Sequence, residues 1–152
     1  MIWFALAVSV AICPDAALAR AQYQGEVTSI LAERGVAILA GEPSAQQYLT
    51  KDAEFSLVIG DVGGVIGRGA DGAKALSAKI AAYKYEYGVW TSIPMPANPC
   101  GSQKVEVRFF DKSDESGVAV TFEYANGQLV RASGWTTARI VRPFPKAGQA
   151  ND

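Results

Sequence analysis

Beyond Lys104 the apolar residues recur at every second position, and that alternation restricts the second half of the chain to strands buried on one face. Val105, Val107 and Phe109 alternate with Glu106 and Arg108, and Val118, Val120, Phe122 and Tyr124 form a second row. Successive side chains of a strand point to opposite faces, so each row marks one buried side. Asp111 to Gly117 is a polar turn between them. The second row runs into Asn126-Gly127, the dipeptide of a type I′ hairpin turn, which needs positive φ at both positions. Leu129 to Val141 reads as the return strand, with Gly134 marking a candidate bulge. Upstream, Tyr83, Tyr85, Tyr87 and Val89 fall on one face, and Lys84, Glu86 and Trp90 on the other.

The first half follows a different period. Glu26 to Ala40 reads as a helix, with Val27, Ile30 and Leu31 on one face and Glu33-Arg34 away from it. Gly35 weakens that helix, and Gly41 with Pro43 ends it. Ser44-Ala45-Gln46-Gln47 fits a capping box before a short turn carrying Tyr48 and Leu49. Asp52 and Glu54 read as helix-start charges ahead of the apolar run Phe55 to Ile59. Gly60 to Gly72 is glycine-rich and contains Gly67-Arg68-Gly69-Ala70-Asp71-Gly72, literally G-x-G-x-x-G. A dinucleotide loop would use such glycines to admit a pyrophosphate. Here the preceding glycines weaken the strand that motif requires, and an antiparallel pattern follows instead of a βαβ unit. A turn flanking a short helix over Ala73 to Ala82 is the expectation, with no cofactor. A sheet with one apolar face must be covered, and the N-terminal half offers the cover. The expected fold is therefore α+β, with N-terminal helices packed on one face of a roughly four-stranded antiparallel sheet.

Composition narrows the function. The chain has 152 residues, 49% of them apolar and 19% charged, with 14 Lys+Arg against 15 Asp+Glu. That supports one folded domain and gives no basic excess for nucleic acid. The absence of His removes Ser-His-Asp and Cys-His catalysis and His-ligated metals. Two Cys make neither a zinc site nor a disulfide scaffold. Met1 to Ile12 is apolar, shorter than a membrane span, and followed by Ala17-Leu18-Ala19, the small-x-small pattern that signal peptidase reads. Residues 1–19 are thus expected to be a signal peptide, 20–142 a single α+β domain, and 143–152 a disordered tail. The product would be periplasmic or secreted, with no stable membrane span after cleavage. Ile12 before Cys13 does not suit a lipid-attachment site. Cleavage would leave Cys100 as the only thiol, either a buried small hydrophobe or half of an intermolecular disulfide.

From Leu49 to Trp135 the order of signals resembles the BamE (SmpA/OmlA)/beta-lactamase-inhibitor-protein type of small envelope domain. The residues that carry this are Phe55 to Val62, then Val65-Ile66-Gly67, then Tyr83 to Trp90, then Val120 to Val130 through Asn126-Gly127. The Gly-Met-Thr helix start of that family is absent. The resemblance implies paired helices on a short antiparallel sheet, and non-catalytic binding or assembly work with an envelope protein partner. Nuclear-transport-factor-2-like domains are the rival. They also place helices before a curved sheet, and would imply a small-ligand-binding or enzymatic pocket.

No catalytic or metal site is expected. Asp111, Asp114 and Glu115 cluster in a turn, where charges are solvated. Glu86 and Glu106 could face each other, but Lys84 and Arg108 share their face, and cross-strand ion pairs explain the pattern more simply. The tyrosine row reads as core. The partner-binding residues are expected to be Trp90, Ile93 and Met95, at and within the Pro-rich loop Thr91 to Gln103. That loop is longer than a hairpin needs, and Pro94, Pro96 and Pro99 stiffen it.

Overall fold

The computed structural model describes residues 13–80, 84–89, 98–110 and 117–136. Three α-helices, α1 (Ala16–Arg20), α2 (Gln24–Leu39) and α3 (Gly69–Lys79), accompany six strands. These are β1 (Leu49–Ile59), β2 (Val62–Arg68), β3 (Lys84–Glu86), β4 (Gln103–Phe110), β5 (Gly117–Ala125) and β6 (Gln128–Thr136). They form one sheet in the order β2-β1-β6-β5-β4-β3. The α+β class and the helical cover on a sheet are as expected. The sheet itself is not: it has six strands, and β1 runs parallel to β6 while the other neighbours are antiparallel.

The two additional strands come from the segment read as helix start and glycine turn. Asp52 and Glu54 are outward positions of β1, whose inward positions Ala53, Phe55 and Leu57 are buried. The period is two, so the charges belong to a strand face. β2 accommodates its glycines because it is an edge strand, half released from packing, and Gly60 at φ 60° turns the chain back into it. The G-x-G-x-x-G glycines make close contacts within the protein. A Cβ on Gly67 would lie 2.7 Å from the Gly72 Cα, and one on Gly72 would lie 2.6 Å from the Phe55 ring. They let α3 lie directly against the β1–β2 hairpin.

Cross-strand register stacks the core in rows. Val105, Phe122, Ala132 and Phe55 stand side by side, as do Val107, Val120, Gly134 and Leu57. All are buried on the face that α2 and α3 cover. Gly35, read as a weakness in α2, is a contact point: a Cβ there would meet three Phe122 ring carbons at 2.9 Å. Gly134 is likewise a packing position, 3.0 Å from Leu57 by the same measure. The β5–β6 register shift lies instead at Glu123/Tyr124, beside the turn. Asn126 (φ 53°) and Gly127 (φ 75°) make that turn with the positive angles expected.

One corner ties the N-terminal segment to the sheet. Cys13 is disulfide-bonded to Cys100, with Cα atoms 5.2 Å apart, so Cys100 is neither a lone thiol nor an intermolecular link. Asp15 caps α1 through the Ala17 and Leu18 amides, and its other oxygen lies 2.8 Å from Arg34 Nη1. Arg34 also donates to the Gly127 carbonyl at 2.7 Å and stacks 3.6 Å from the Tyr48 ring centroid. Leu18 is fully buried. Arg34, expected on the outer face of its helix, is thus the buried cation of this corner.

Candidate functional site

Away from that corner, the ends of α2 and α3 border the β3–β4 edge. The space between is a groove of about 220 Å³ lined by Val36 and Leu39 of α2 with Ala40 just after it, Ser77 and Ile80 at the end of α3, and Lys84, Tyr85 and Phe109. The register explains its wall: Tyr85 pairs with Phe109, so both side chains project to the helix-bearing face, with ring centroids 6.2 Å apart. Val107, Val120 and Phe122 of β4 and β5 are fully buried.

The rim is polar and fixed. Glu33, one α2 residue on the outer side, accepts hydrogen bonds from Tyr85 Oη at 2.9 Å and Tyr87 Oη at 2.8 Å. The bond to Glu33, with burial and the negative charge behind it, raises the Tyr85 pKa. Burial first and the Glu33 bond second raise that of Tyr87. Both phenols therefore stay protonated as donors. Of the tyrosine row, expected as core, Tyr87 packs against the core, Tyr85 is 39% exposed and lines the groove, and Tyr83 lies outside the described residues.

The paired-carboxylate alternative resolves into solvent-exposed ion pairs. Glu86 stands across from Arg108, and Glu106 across from Thr121. Arg108 pairs with Glu106 at 3.4 Å, and Lys84 with Glu86 at 3.8 Å, each along its own strand instead of across strands. These four side chains do not converge in a concavity. Trp90, Ile93 and Met95, and the Asp111, Asp114 and Glu115 cluster, lie outside the described residues. Among the described residues no group of three or more Cys, Asp or Glu could hold a metal.

Sequence reasoning missed Glu33 and the groove. A signal was present, because Glu33 and Tyr85-x-Tyr87 are the polar and aromatic members of two elements expected to pack. Their pairing depends on how α2 is rotated over the sheet, which local pattern does not specify.

No family model matches the sequence, and no curated protein matches it. Among solved structures the fold is similar to an NTF-2 like protein of unknown function from Burkholderia xenovorans LB400, at 14% identity and a TM-score of 0.48, covering 87% of this chain and 98% of that one. A candidate ketosteroid isomerase from Kribbella flavida DSM 17836 is similar at 12% identity and a TM-score of 0.43, covering 87% of each chain. A de novo designed protein with a curved β-sheet matches at 18% identity and a TM-score of 0.43, covering 74% of this chain and 87% of that one. Nothing of their chemistry passes to this chain at such distances. The mixed six-stranded sheet corrects the BamE (SmpA/OmlA)/beta-lactamase-inhibitor-protein resemblance, which implied a short, wholly antiparallel sheet.

Proposed function

We propose that this domain is a non-catalytic binder of a small, mainly apolar compound, held in the groove between α2, α3 and the β3–β4 edge. The observation that carries the reading is an apolar recess with the Tyr85 phenol, hydrogen-bonded to Glu33, on its wall. A few placed polar groups on apolar walls are the usual composition of a small-molecule site. The recess is below the ~300–1,000 Å³ of drug-sized sites, so its ligand is of fragment size. Tyr85 already donates its proton to Glu33, so the wall offers the phenol oxygen as an acceptor to a donor on the ligand. That chemistry recognises and orients without supplying a proton or a nucleophile.

Indole and p-cresol serve as probes, each a small apolar body with one donor. Titration followed by amide chemical shifts should perturb Val36, Ile80, Tyr85 and Phe109 saturably. Ala40→Trp, at an exposed groove position, should abolish those shifts while leaving the melting temperature nearly unchanged. Shifts confined to the opposite sheet face, or none at millimolar probe, would remove the proposal.

A second reading, an exported binding or assembly protein of the cell envelope, keeps support from two observations. Val58, Val62, Val65 and Trp135 expose apolar side chains on or beside the uncovered side of β1, β2 and β6, with Val62 at 78%. Such a strip suits a protein partner. An intrachain disulfide fits an oxidising compartment.

A further inference from the structure

We propose that the sheet face opposite the helices is the contact between two copies of this chain, related by a two-fold axis that runs along the strands between β1 and β6. The groove lies on the helix-bearing face, so the proposal is independent of what it binds. Its basis is the register. Residues paired across strands project from the same side of a sheet, so the pairings sort the outer face into rows. One row is Lys104, Glu123, Arg131, Glu54 and Arg68, taken in turn from β4, β5, β6, β1 and β2. Its charges alternate in sign without a break. Glu54 lies 2.9 Å from Arg68 and 3.7 Å from Arg131, and Glu123 lies 3.2 Å from Lys104. The next row carries Thr121, Ser133, Ser56 and Val65, and the row after it Arg108, Ala119, Trp135 and Val58. Among the described residues α2 and α3 pack on the other face, while Trp135, Val58 and Val65 stay exposed.

An alternating ladder is selective about how its own copy can lie on it. A two-fold axis along the strands lays each row over itself in reversed strand order, so residue i meets j and j meets i. An axis on β6 would set Arg131 over Arg131, Glu123 over Glu54 and Lys104 over Arg68, all like charges. An axis on β1 would set Glu54 over Glu54 and Arg131 over Arg68. Midway between β1 and β6, Glu54 meets Arg131 of the second copy and Arg68 meets its Glu123, so these charges all oppose. Midway between β5 and β6 the charges also oppose, but Val58 then lies over Arg108. The apolar row decides for β1 and β6, where Val58 lies over Trp135 of the second copy and the reverse, so both exposed side chains are covered. The face spans five strands. At ~4.8 Å between strands and about six residues of ~3.3 Å along them, a pair of such faces buries ~1,000 Å² in total, at the low end for specific interfaces. The dimer is accordingly weak, dissociating in the micromolar range.

Sedimentation velocity of the full chain from micromolar to millimolar concentration is the test. The expected result is a monomer–dimer equilibrium that added salt weakens. Arg131→Glu sets like charges against Glu54 of the second copy, and Glu54→Arg sets them against its Arg131, so each variant alone should dimerise at least about tenfold more weakly. Mixed in equal amounts, the two variants should recover a heterodimer near the parent affinity, because each new charge then meets the other variant's. A role confined to one chain gives no such rescue. Trp135→Ser, which changes no charge, should weaken the dimer as well, and circular dichroism melts show that each variant is folded. A parent chain that stays monomeric, a dimer indifferent to these substitutions, or two variants that remain monomeric on mixing would each overturn the proposal.

Discussion

Tyr124 shows how one side chain joins sheet, helix and pH dependence. Its ring is 1% exposed, and its hydroxyl donates to the Leu31 carbonyl of α2 at 2.7 Å. Burial holds the phenol well above its usual value, and nearby Arg34 lowers it by a smaller amount. The sign follows from linkage. Above pH ~10 an unfolded tyrosine gives up its proton while the folded one keeps it, so the unfolded state binds fewer protons and stability falls as pH rises. Below that pH the contribution is fully present. Urea melts should therefore show stability declining from about pH 10 upward, and the Tyr124 share of tyrosinate absorbance should appear only on unfolding. Tyr124→Phe should remove that share of the decline. It should also cost about 1–3 kcal/mol at neutral pH, because the Leu31 carbonyl loses its extra partner in a buried setting. Arg34 is the harder residue to read. Its spacing, three after Leu31 and four before Ile38, places it on the buried stripe. Its charge argues for solvent, and only partners distant in the chain, Asp15, the Gly127 carbonyl and the Tyr48 ring, reverse that argument.

Among the elements, β2 and α3 show what glycine spacing does and does not specify. The same glycine-rich stretch contains positions with opposite requirements. A Cβ on Gly64 would meet nothing within 4 Å, whereas one on Gly72 would meet the Gly67 backbone and the Phe55 ring. Gly64→Ala should therefore be neutral or stabilising by up to about 1 kcal/mol, since it only reduces the freedom of the unfolded chain. Gly72→Ala should cost about 1–3 kcal/mol, because backbone on one side and a buried ring on the other leave little room to yield. Chemical melts of the two variants check this, and equal effects would contradict the packing described for α3. The β1 strand is a case of a legible pattern read with the wrong period. Ala53, Phe55 and Leu57 alternate with Asp52, Glu54 and Ser56 as cleanly as β4 does. The acids at its start suggest a helix N-terminus because carboxylates favour both settings. Glu54 is in fact an outward strand residue, 2.9 Å from Arg68 and 3.7 Å from Arg131.

At the level of the whole molecule, the disulfide closes a loop spanning 87 positions, and thereby links α1 to the start of β4 around most of the fold. Restricting the unfolded chain over a loop of that size should stabilise by up to about 4–5 kcal/mol, and by about 2–4 kcal/mol in typical proteins. Against a total of roughly 5–15 kcal/mol that is a large share. Reduction, or Cys13→Ser with Cys100→Ser, should move the urea midpoint sharply downward with little loss of helix and sheet signal in buffer. An unchanged midpoint would mean that α1 contributes nothing to global stability. Among the described residues no helix is long and apolar enough to cross a membrane. The helices instead cover one sheet face and leave the groove beside the ends of α2 and α3.

What the sequence determined by itself was local. The period of two fixed β4, β5 and the start of β6, and Asn126-Gly127 fixed their turn, because strand alternation and positive φ are properties of a few adjacent residues. The helical period likewise located α2 to within two residues. The tertiary structure decided what depends on distant partners. It paired β1 with β6 in parallel, a register set by packing across nearly eighty positions. It turned Gly35 from a helix defect into the seat of Phe122. It brought Glu33 to Tyr85 and Tyr87, and Cys13 to Cys100. None of these can be read from a window of neighbours, because the energy that selects each one comes from surfaces that meet only after the chain has folded.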